Sequence, residues 1–384
     1  TGLMYTVGKG IAPESDVAVI SILGYDPFKY STGRGVLEAL GSEMQMKDGD
    51  LALRCNFATV NTEQKLVDRR VGRTLTTEEA QQLSKAINEK VKLNSYPAGF
   101  EFKSTIGHRA VLLIRSREKS LSSKITNIDP AYSIEGRLGI AQPEFETRLK
   151  KCEPMEETEE AKIAATLVNE FVEKSHRILE EHEINKKREK EGKLKANIIL
   201  TRDAGHLLPK FFKINEKYGV KFASLADMPV EKGISKLAGM HVVQIPPPSQ
   251  NLWKDCELRV GKLLEVLPFY DGFYVHIKGP DEPAHDGNFN HKKQLIETID
   301  KAFFGELLHK ISLEKHIICV TADHSTPCKL KAHSDDPVPV LISGNNVEAD
   351  EVDKFSEREC AKGSLGVLAH GTELLPKLIQ YLKK

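Results

Sequence analysis

The sequence predicts an α/β protein built on a mostly parallel sheet with helices on both faces. Three observations carry this expectation. From residue 196 onward, short apolar runs alternate with amphipathic stretches, the pattern of strand–helix–strand units. The runs themselves (ANIIL, GFYVHI, HIICVT, VPVLI) are short, largely apolar and rich in β-branched residues. The chain has 384 residues and is 40% hydrophobic, enough for packed cores in two or three domains at about 150 residues each.

The elements follow in order. Residues 1–14 read as loop, because Gly2, Gly8, Gly10 and Pro13 crowd together. Ser15-Asp16 precede the apolar run Val17 to Leu23, a helix with an N-cap signal. Gly33 to Gly41 brackets a second short helix. Leu51 to Val60 reads as a strand, and Thr76-Thr77-Glu78-Glu79 starts a helix running to about Val91. Phe100 to Phe102 and His108 to Ile114 are further strands, and residues 115–153 read as mostly irregular. Ile163, Leu167, Phe171 and Leu179 are spaced for a helix over 155–183. The charged stretch Asn185 to Lys195 reads as a solvated connection. Strands are then expected at Ala196–Leu200, Val220–Leu225, Gly272–Ile277, His316–Thr321 and Val338–Ile342. Helices are expected at Glu231–Ala238, Leu258–Leu267, Asn290–Leu308 and Thr372–Leu382.

Composition narrows the function. Fifty-five basic side chains balance 55 acidic ones, which argues against a nucleic-acid or membrane-surface binder. No apolar run approaches the roughly 20 residues that span a bilayer. The six cysteines are scattered and form no CxxC pair, which fits a reducing, cytoplasmic setting. The chain opens on Thr1, so the lack of a leader carries no information.

Three loops carry the chemistry. Two follow apolar strands: Lys278 to Asn288 after GFYVHI, and Ala322 to Pro327 after HIICVT. The third, His333 to Pro337, precedes VPVLI. In open α/β sheets, ligands gather at the carboxyl ends of strands. Together the loops offer Asp281, His285, Asp323, His324 and His333. Carboxylate with imidazole suits Zn, Mn, Fe or Co better than Ca or Mg. Five such groups exceed one tetrahedral site, so two ions are expected, a standard device for phosphoryl transfer. Any one of these histidines alone would more simply be a surface or structural residue. Ser15, at a predicted helix start, sits where amides and dipole favour an anion. A metal beside it would activate the hydroxyl; without one it is a plain N-cap.

These segments also carry a resemblance. PESDVAVISILGYDP, GRGVLEALG, LALRCNFATV, VDRRVGR, GHRAVLLI, KGPDEPAHDGN, TADHSTPC and HSDDPVPVLI occur in that order. The chain resembles the archaeal-type 2,3-bisphosphoglycerate-independent phosphoglycerate mutases of the alkaline phosphatase superfamily, from about residue 2 to its C-terminus. The resemblance implies interconversion of 2- and 3-phosphoglycerate, in glycolysis and gluconeogenesis, through a phosphoserine at Ser15. It implies that Asp281, His285 and His333 hold one divalent ion, and that Asp323, His324 and the Ser15 oxygen hold a second. Manganese is the usual metal, with magnesium, cobalt or zinc as alternatives.

The fold so implied is an alkaline-phosphatase-like core, residues 1–45 and 216–384, with an inserted α+β lid at 46–215. Arg54, Arg69, Arg70, Arg73, His108, Arg109, Arg202 and Lys278 are the implied substrate contacts. Arginine suits carboxylate and phosphate because it binds through paired N–H groups. The implied partner is a small phosphoglycerate, with neither nucleic acid nor membrane. Relatives begin with an apolar strand ending in an Asp-Gly whose Asp ligates the second ion. No such segment precedes Ser15, so a missing central strand is expected. Two other functions remain open: a metal-dependent phosphomonoesterase of the same superfamily, or a non-catalytic phospho-ligand binder.

Overall fold

The structure is a computed structural model that describes residues 1–135, 138–141, 145–249 and 251–383. It is a mixed α/β fold with several sheets. The chain forms two units: Thr1–Ser31 with Lys210–Asp227 and Ile234–Lys384, and Thr32–Pro209 with Met228–Gly233. No described helix is long and apolar enough to cross a membrane.

The first unit holds two sheets. In one, strands His241–Val242, Phe222–Leu225 and Gly272–Val275 are all parallel. In the other, Ile317–Val320, Val338–Gly344, Gly2–Met4 and Gly366–Leu368 lie in that order. Two of its three pairings are antiparallel, so the expectation of a mostly parallel sheet holds only for the first. The Gly2–Met4 strand also corrects the reading of residues 1–14 as loop. Three residues leave no visible alternation, and Gly2 looks like a turn signal. Yet Gly2 sits in the ladder because a Cβ there would lie 2.5 Å from the Gly366 carbonyl oxygen. Around this sheet Met4, Val338, Val340, Ile342, Leu368 and Leu374 form one core. Ala223, Leu225, Val260, Leu263, Phe303 and Leu307 form another. Each fully buried aliphatic of this kind contributes roughly 1.5–3 kcal/mol.

The predicted helix near Asn290 is observed as Phe289–Ile299, which continues through a π-helical turn at Asp300–Gly305 into Glu306–Leu308. The apolar run after Ser15 forms helix Ser15–Ile22, buried on nearly all sides from Asp16 to Ser21. Such a helix has no polar face, which is why its sequence reads as a continuous apolar run.

The second unit is built on an antiparallel sheet whose hub is Leu51–Val60. That strand pairs with Leu66–Asp68, Arg109–Ser116 and Ile198–Gly205, and Ala98–Ser104 pairs with Arg109–Ser116. Helix Thr77–Lys90 is closed by a capping box between Thr76 and Glu79, as its sequence predicted. It lies with the 22-residue helix Glu159–Glu180 over a core of Phe57, Phe102, Leu83, Ile87, Leu167 and Phe171. Gly41, last residue of helix Arg34–Gly41, meets the 228–233 stretch so closely that a Cβ would lie 1.7 Å from the Pro229 carbonyl oxygen.

Two sequence readings in this unit are corrected. Residues 115–153 are not all irregular: Tyr132–Glu135 and Leu138–Ala141 pair antiparallel. The solvated connection at 185–195 includes most of helix Glu183–Lys190, in which Asn185 and Arg188 are buried. Asn185 donates to the carbonyls of Leu179 (2.8 Å) and Ala196 (3.0 Å). Arg188 donates to Glu79 (2.6 Å), to the Thr74 hydroxyl (2.7 Å) and to the Leu194 carbonyl (2.9 Å). A polar residue can be buried when its donors are all matched. Composition alone could not show which two of these charged and polar positions faced inward.

Candidate active site: a carboxylate–imidazole cluster and an arginine cluster

In the first unit, chain order and local geometry bring six predicted residues together. Beyond strand Gly272–Val275 the chain turns into the short helix Asp281–His285. Asp281 and His285 are four residues apart, hence on one face. Beyond strand Ile317–Val320 come Asp323 and His324. A bridge between Ser325 and Ser334, with Ser334 N–H donating to the Ser325 carbonyl at 3.0 Å, brings the His333 loop against them. Ser15 is the first residue of its helix.

The distances are short. His285 Nε2 lies 3.3 Å and His333 Nε2 3.6 Å from Asp281 Oδ1. Ligand atoms of these three residues all lie within 4.8 Å of one another. His324 Nε2 lies 3.3 Å from Asp323 Oδ2 and 3.2 Å from Ser15 Oγ. The His324 and His333 rings stack with centroids 3.7 Å apart. The helix N-cap is Glu14, without a side-chain cap bond, so the N-cap reading of Ser15 is set aside. Its hydroxyl faces the imidazole cluster instead.

The far side of each ring decides what the near side can do. His285 Nδ1 lies 3.0 Å from the Lys331 carbonyl, and His333 Nδ1 2.8 Å from the Pro13 carbonyl. A carbonyl only accepts, so each Nδ1 carries the proton. His324 Nδ1 lies 3.0 Å from Thr326 Oγ1, whose own proton goes to Asp281 Oδ1 at 2.9 Å. The hydroxyl must then accept from His324. In their neutral forms all three imidazoles therefore present a bare Nε2 lone pair to the cluster. This is the arrangement that metal-binding histidines use, with the second nitrogen tied to an acceptor. Neutral imidazole lone pairs converging beside carboxylates fit a divalent cation.

Without a cation these same atoms pair with one another, His285 and His333 acting as protonated donors to Asp281. Burial pushes the Asp281 carboxyl up, but hydrogen bonds from His285 and His333 and imidazole charge hold it far below the usual range. The bond to Asp281 raises His285. Burial alone would lower His333, yet Asp281 and Glu14 raise it. Glu14 Oε1 is 3.8 Å from His333 Nδ1. Burial lowers His324, keeping it neutral despite Asp323. Burial raises Asp323, but His324, His276 and Ser15 outweigh it and the net shift is down. Lys278, half-buried, follows the strand that leads to Asp281.

The arginines gather in the second unit. Arg54 and Arg202 sit opposite each other on paired strands, a like-charge pair that would be unfavourable alone. Acids relieve it. Arg54 Nε is 3.1 Å from Glu38 Oε1. Arg202 Nη1 donates to Asp129 Oδ2 at 2.7 Å. Arg69 grips the same carboxylate through both oxygens, at 2.7 and 2.6 Å. The Tyr132 ring lies under both, 4.5 Å from the Arg202 guanidinium and 5.1 Å from that of Arg69. Burial, then Arg34 and Arg202, push Arg54 down to about 10. Burial and the neighbouring arginines push His108 down to about 2. Arg70 is lowered by burial, Arg73 and Arg69. Val71, Gly72 and Arg73 all have left-handed φ (54°, 59° and 56°). Asp68 Oδ1 holds that turn by accepting from the N–H groups of Arg70 and Gly72. Three successive left-handed residues, two of them not glycine, are strained backbone of the kind found at functional sites. Arg109 starts the strand that pairs with Asn56. Arg202 is 3% exposed and its charge is engaged by Asp129, whereas Arg73 is exposed.

Sequence reasoning did not find Thr326, Glu14 or Asp129. Thr326 stands two residues after His324, a spacing without a recognised signal. The Pro13 and Lys331 carbonyls are backbone atoms and have no signature at all.

Comparison with known proteins agrees. A family model described as 2,3-bisphosphoglycerate-independent phosphoglycerate mutase matches residues 1–185. A protein of that name from Aeropyrum pernix is 43% identical over 388 residues, covering 99% of this chain and 90% of the relative. Another from Methanopyrus kandleri is 39% identical, covering 95% of this chain and 83% of the relative. The solved structure of a Pyrococcus horikoshii protein is similar with TM-score 0.76 and 30% identity, covering 100% of this chain and 86% of that one. The cofactor-independent phosphoglycerate mutase from Thermoplasma acidophilum is similar with TM-score 0.59 and 32% identity, covering 99% and 88%.

Proposed function

The chain belongs to the 2,3-bisphosphoglycerate-independent phosphoglycerate mutases and interconverts 2-phosphoglycerate and 3-phosphoglycerate in glycolysis and gluconeogenesis, and from that premise we propose that Ser15 carries the phosphoryl group between the two hydroxyls. The observation that carries the proposal is the Ser15 hydroxyl, 3.2 Å from His324 Nε2 at a helix N-terminus.

In this reading Asp281, His285 and His333 would hold one divalent ion, and Asp323, His324 and the Ser15 oxygen would take part in holding a second. Manganese is the metal we assign, because the family resemblance implies it; the mixed carboxylate and imidazole donors suit Zn, Fe or Co as well. Such ions supply Lewis acidity that activates the serine hydroxyl and neutralises phosphoryl oxygens. Ser15 Oγ forms the new bond to phosphorus as the bond from phosphorus to the glycerate oxygen breaks. The proton given up by Ser15 is balanced by the one gained on that oxygen. The glycerate reorients, its other hydroxyl attacks the phosphoserine, and Ser15 Oγ–H is restored. First-turn amides of helix Ser15–Ile22 have no partner within the helix and favour the anion.

Arg70, Arg73 and Arg109, with Lys278, are assigned to the substrate's phosphate and carboxylate. Arg54, Arg69, Arg202 and His108 are assigned to the same group of contacts, with Glu38 and Asp129 setting their positions. An alkaline-phosphatase-like core of residues 1–45 and 216–384 with an inserted lid of residues 46–215 belongs to the same proposal. It is supported by the division of the chain into two units, one assembled from three separate stretches. We place the reaction in the cytoplasm, where glycolytic substrates are.

The test is Ser15→Ala. Mutase turnover should fall by at least about a thousandfold, as for loss of a nucleophile, with folding intact. Mass spectrometry of wild-type protein quenched with 3-phosphoglycerate should show phosphate on the peptide containing Ser15. Full turnover by Ser15→Ala, or phosphate on another residue, overturns the assignment. Release of free phosphate in place of isomerisation would favour a phosphomonoesterase.

A further inference from the structure

Thr326 hydrogen-bonds one residue of each of the two proposed ion sites, Asp281 and His324. It is buried, 4% exposed. One hydroxyl bonds proposed ligands of different ions. It donates to Asp281 Oδ1 at 2.9 Å and accepts from His324 Nδ1–H at 3.0 Å. Lys292, on helix Phe289–Ile299, donates to the Thr326 carbonyl at 2.8 Å and fixes the residue from behind. We infer that Thr326 is a positioning residue that orients one ligand of each ion through a single hydroxyl and so couples the two sites.

The chemistry leaves little freedom. A carboxylate accepts only, so the one hydroxyl proton is committed to Asp281. The oxygen lone pair is then the acceptor that keeps the proton of His324 on Nδ1. Without it, His324 can place its proton on Nε2, the nitrogen that faces Asp323 and Ser15. The same loss leaves Asp281 Oδ1 without the donor that fixes its plane towards His285 and His333. Groups behind a ligand typically change metal affinity by about ten- to a hundredfold. A histidine ligand serves one ion. Thr326 differs in bonding a ligand of each.

The inference rests on the proposed metal assignment, and the experiment separates the two. Apo wild type, Thr326→Val and Thr326→Ser are titrated with Mn2+ alone by calorimetry. Valine keeps the shape and removes the hydroxyl; serine keeps the hydroxyl. Wild type should bind two ions. Thr326→Val should weaken both binding steps by about tenfold or more, and Thr326→Ser should stay within about threefold of wild type. If the valine variant does not fold, Thr326→Ala is titrated under the same criteria. Two unchanged steps in the valine variant overturn the inference, as does a shift in one step only, or a serine variant as weak as valine. Wild type binding no ion would instead overturn the metal assignment itself, and this inference with it.

Discussion

Asp129→Asn tests whether the arginine cluster is held by charge or only by shape. Asp129 is fully buried and takes three charge-assisted bonds, two from Arg69 and one from Arg202, all at 2.6–2.7 Å. Removing one partner of a buried pair costs about 3–5 kcal/mol, because the remaining charge is left uncompensated. Arg202 is 3% exposed and should cost that much; Arg69, at 15%, is partly relieved by solvent. Asparagine preserves volume and one acceptor oxygen, so the lower end, about 3 kcal/mol, is expected.

The sole tryptophan, Trp253, lies in the other unit, so its fluorescence is the wrong probe. Hydrogen exchange of peptides covering Leu51–Val60 and Ile198–Gly205 reads the right strands. The effect should depend on pH with a definite sign. Burial raises the Asp129 carboxyl, but the Arg69 hydrogen bond and the charges of Arg202 and Arg69 outweigh it, so the folded pKa is depressed. Its stabilisation is therefore complete above the unfolded value of about 3.9 and is lost as pH falls through that value towards the folded one. The gap between wild type and variant should be full at neutral pH and close in acid. A loss below about 1 kcal/mol at neutral pH, the range of an exposed pair, would refute the reasoning.

Other outcomes follow from the same geometry. His285→Ala and His333→Ala should each lose the same ion, leaving one per chain by elemental analysis; two ions at unchanged affinity would break the assignment. His108, pushed down to about 2, stays neutral in the fold while the unfolded residue protonates near 6.5. Its contribution should drain away as pH falls below about 6.5, by up to ~1.4 kcal/mol per pH unit, and His108→Phe should flatten that slope in urea titrations. Arg188→Met should destabilise the second unit by about 3 kcal/mol, since Glu79 loses its partner beside the Thr74 and Leu194 acceptors. A melting curve equal to wild type would show that these bonds contribute nothing net.

The strand and helix pattern was legible where periodicity is local. Leu51–Val60 and Thr77–Lys90 were predicted almost to the residue, because a largely apolar run and a capping box are each written in a few adjacent letters. Gly2–Met4 was not legible, since three residues with a glycine carry no period, and its place in the sheet comes from partners more than 330 residues away. Asn185 and Arg188 were hidden by their charged neighbours, because burial here follows hydrogen-bond partners and not hydropathy. The chemistry shows the same division. Asp281, His285, Asp323, His324 and His333 stand out because their types and loop positions are distinctive. Thr326 and the Pro13 carbonyl do not, because orientation is supplied by groups that any sequence contains.

The balanced total charge conceals a strong local separation. Fifty-five cations equal 55 anions over the chain, yet the two polar clusters are of opposite character. In the first unit three imidazoles turn lone pairs inward beside Asp281 and Asp323, and each Nδ1 proton points away to an acceptor. In their neutral forms those imidazole nitrogens, with the two carboxylates, are acceptors and suit a cation. In the second unit Arg34 and Arg54 meet Glu38, Arg69 and Arg202 share Asp129, and Arg54 and Arg202 both approach Asp203. Burial first, and then the neighbouring arginines, depress the pKa of Arg54 and His108, so like-charge repulsion persists there. An anion with two charged ends, phosphate and carboxylate, would relieve it. The proposed assignment of these arginines to phosphoglycerate thus rests on their clustering, which Asp129 and Glu38 hold in place and whose repulsion a substrate anion would offset.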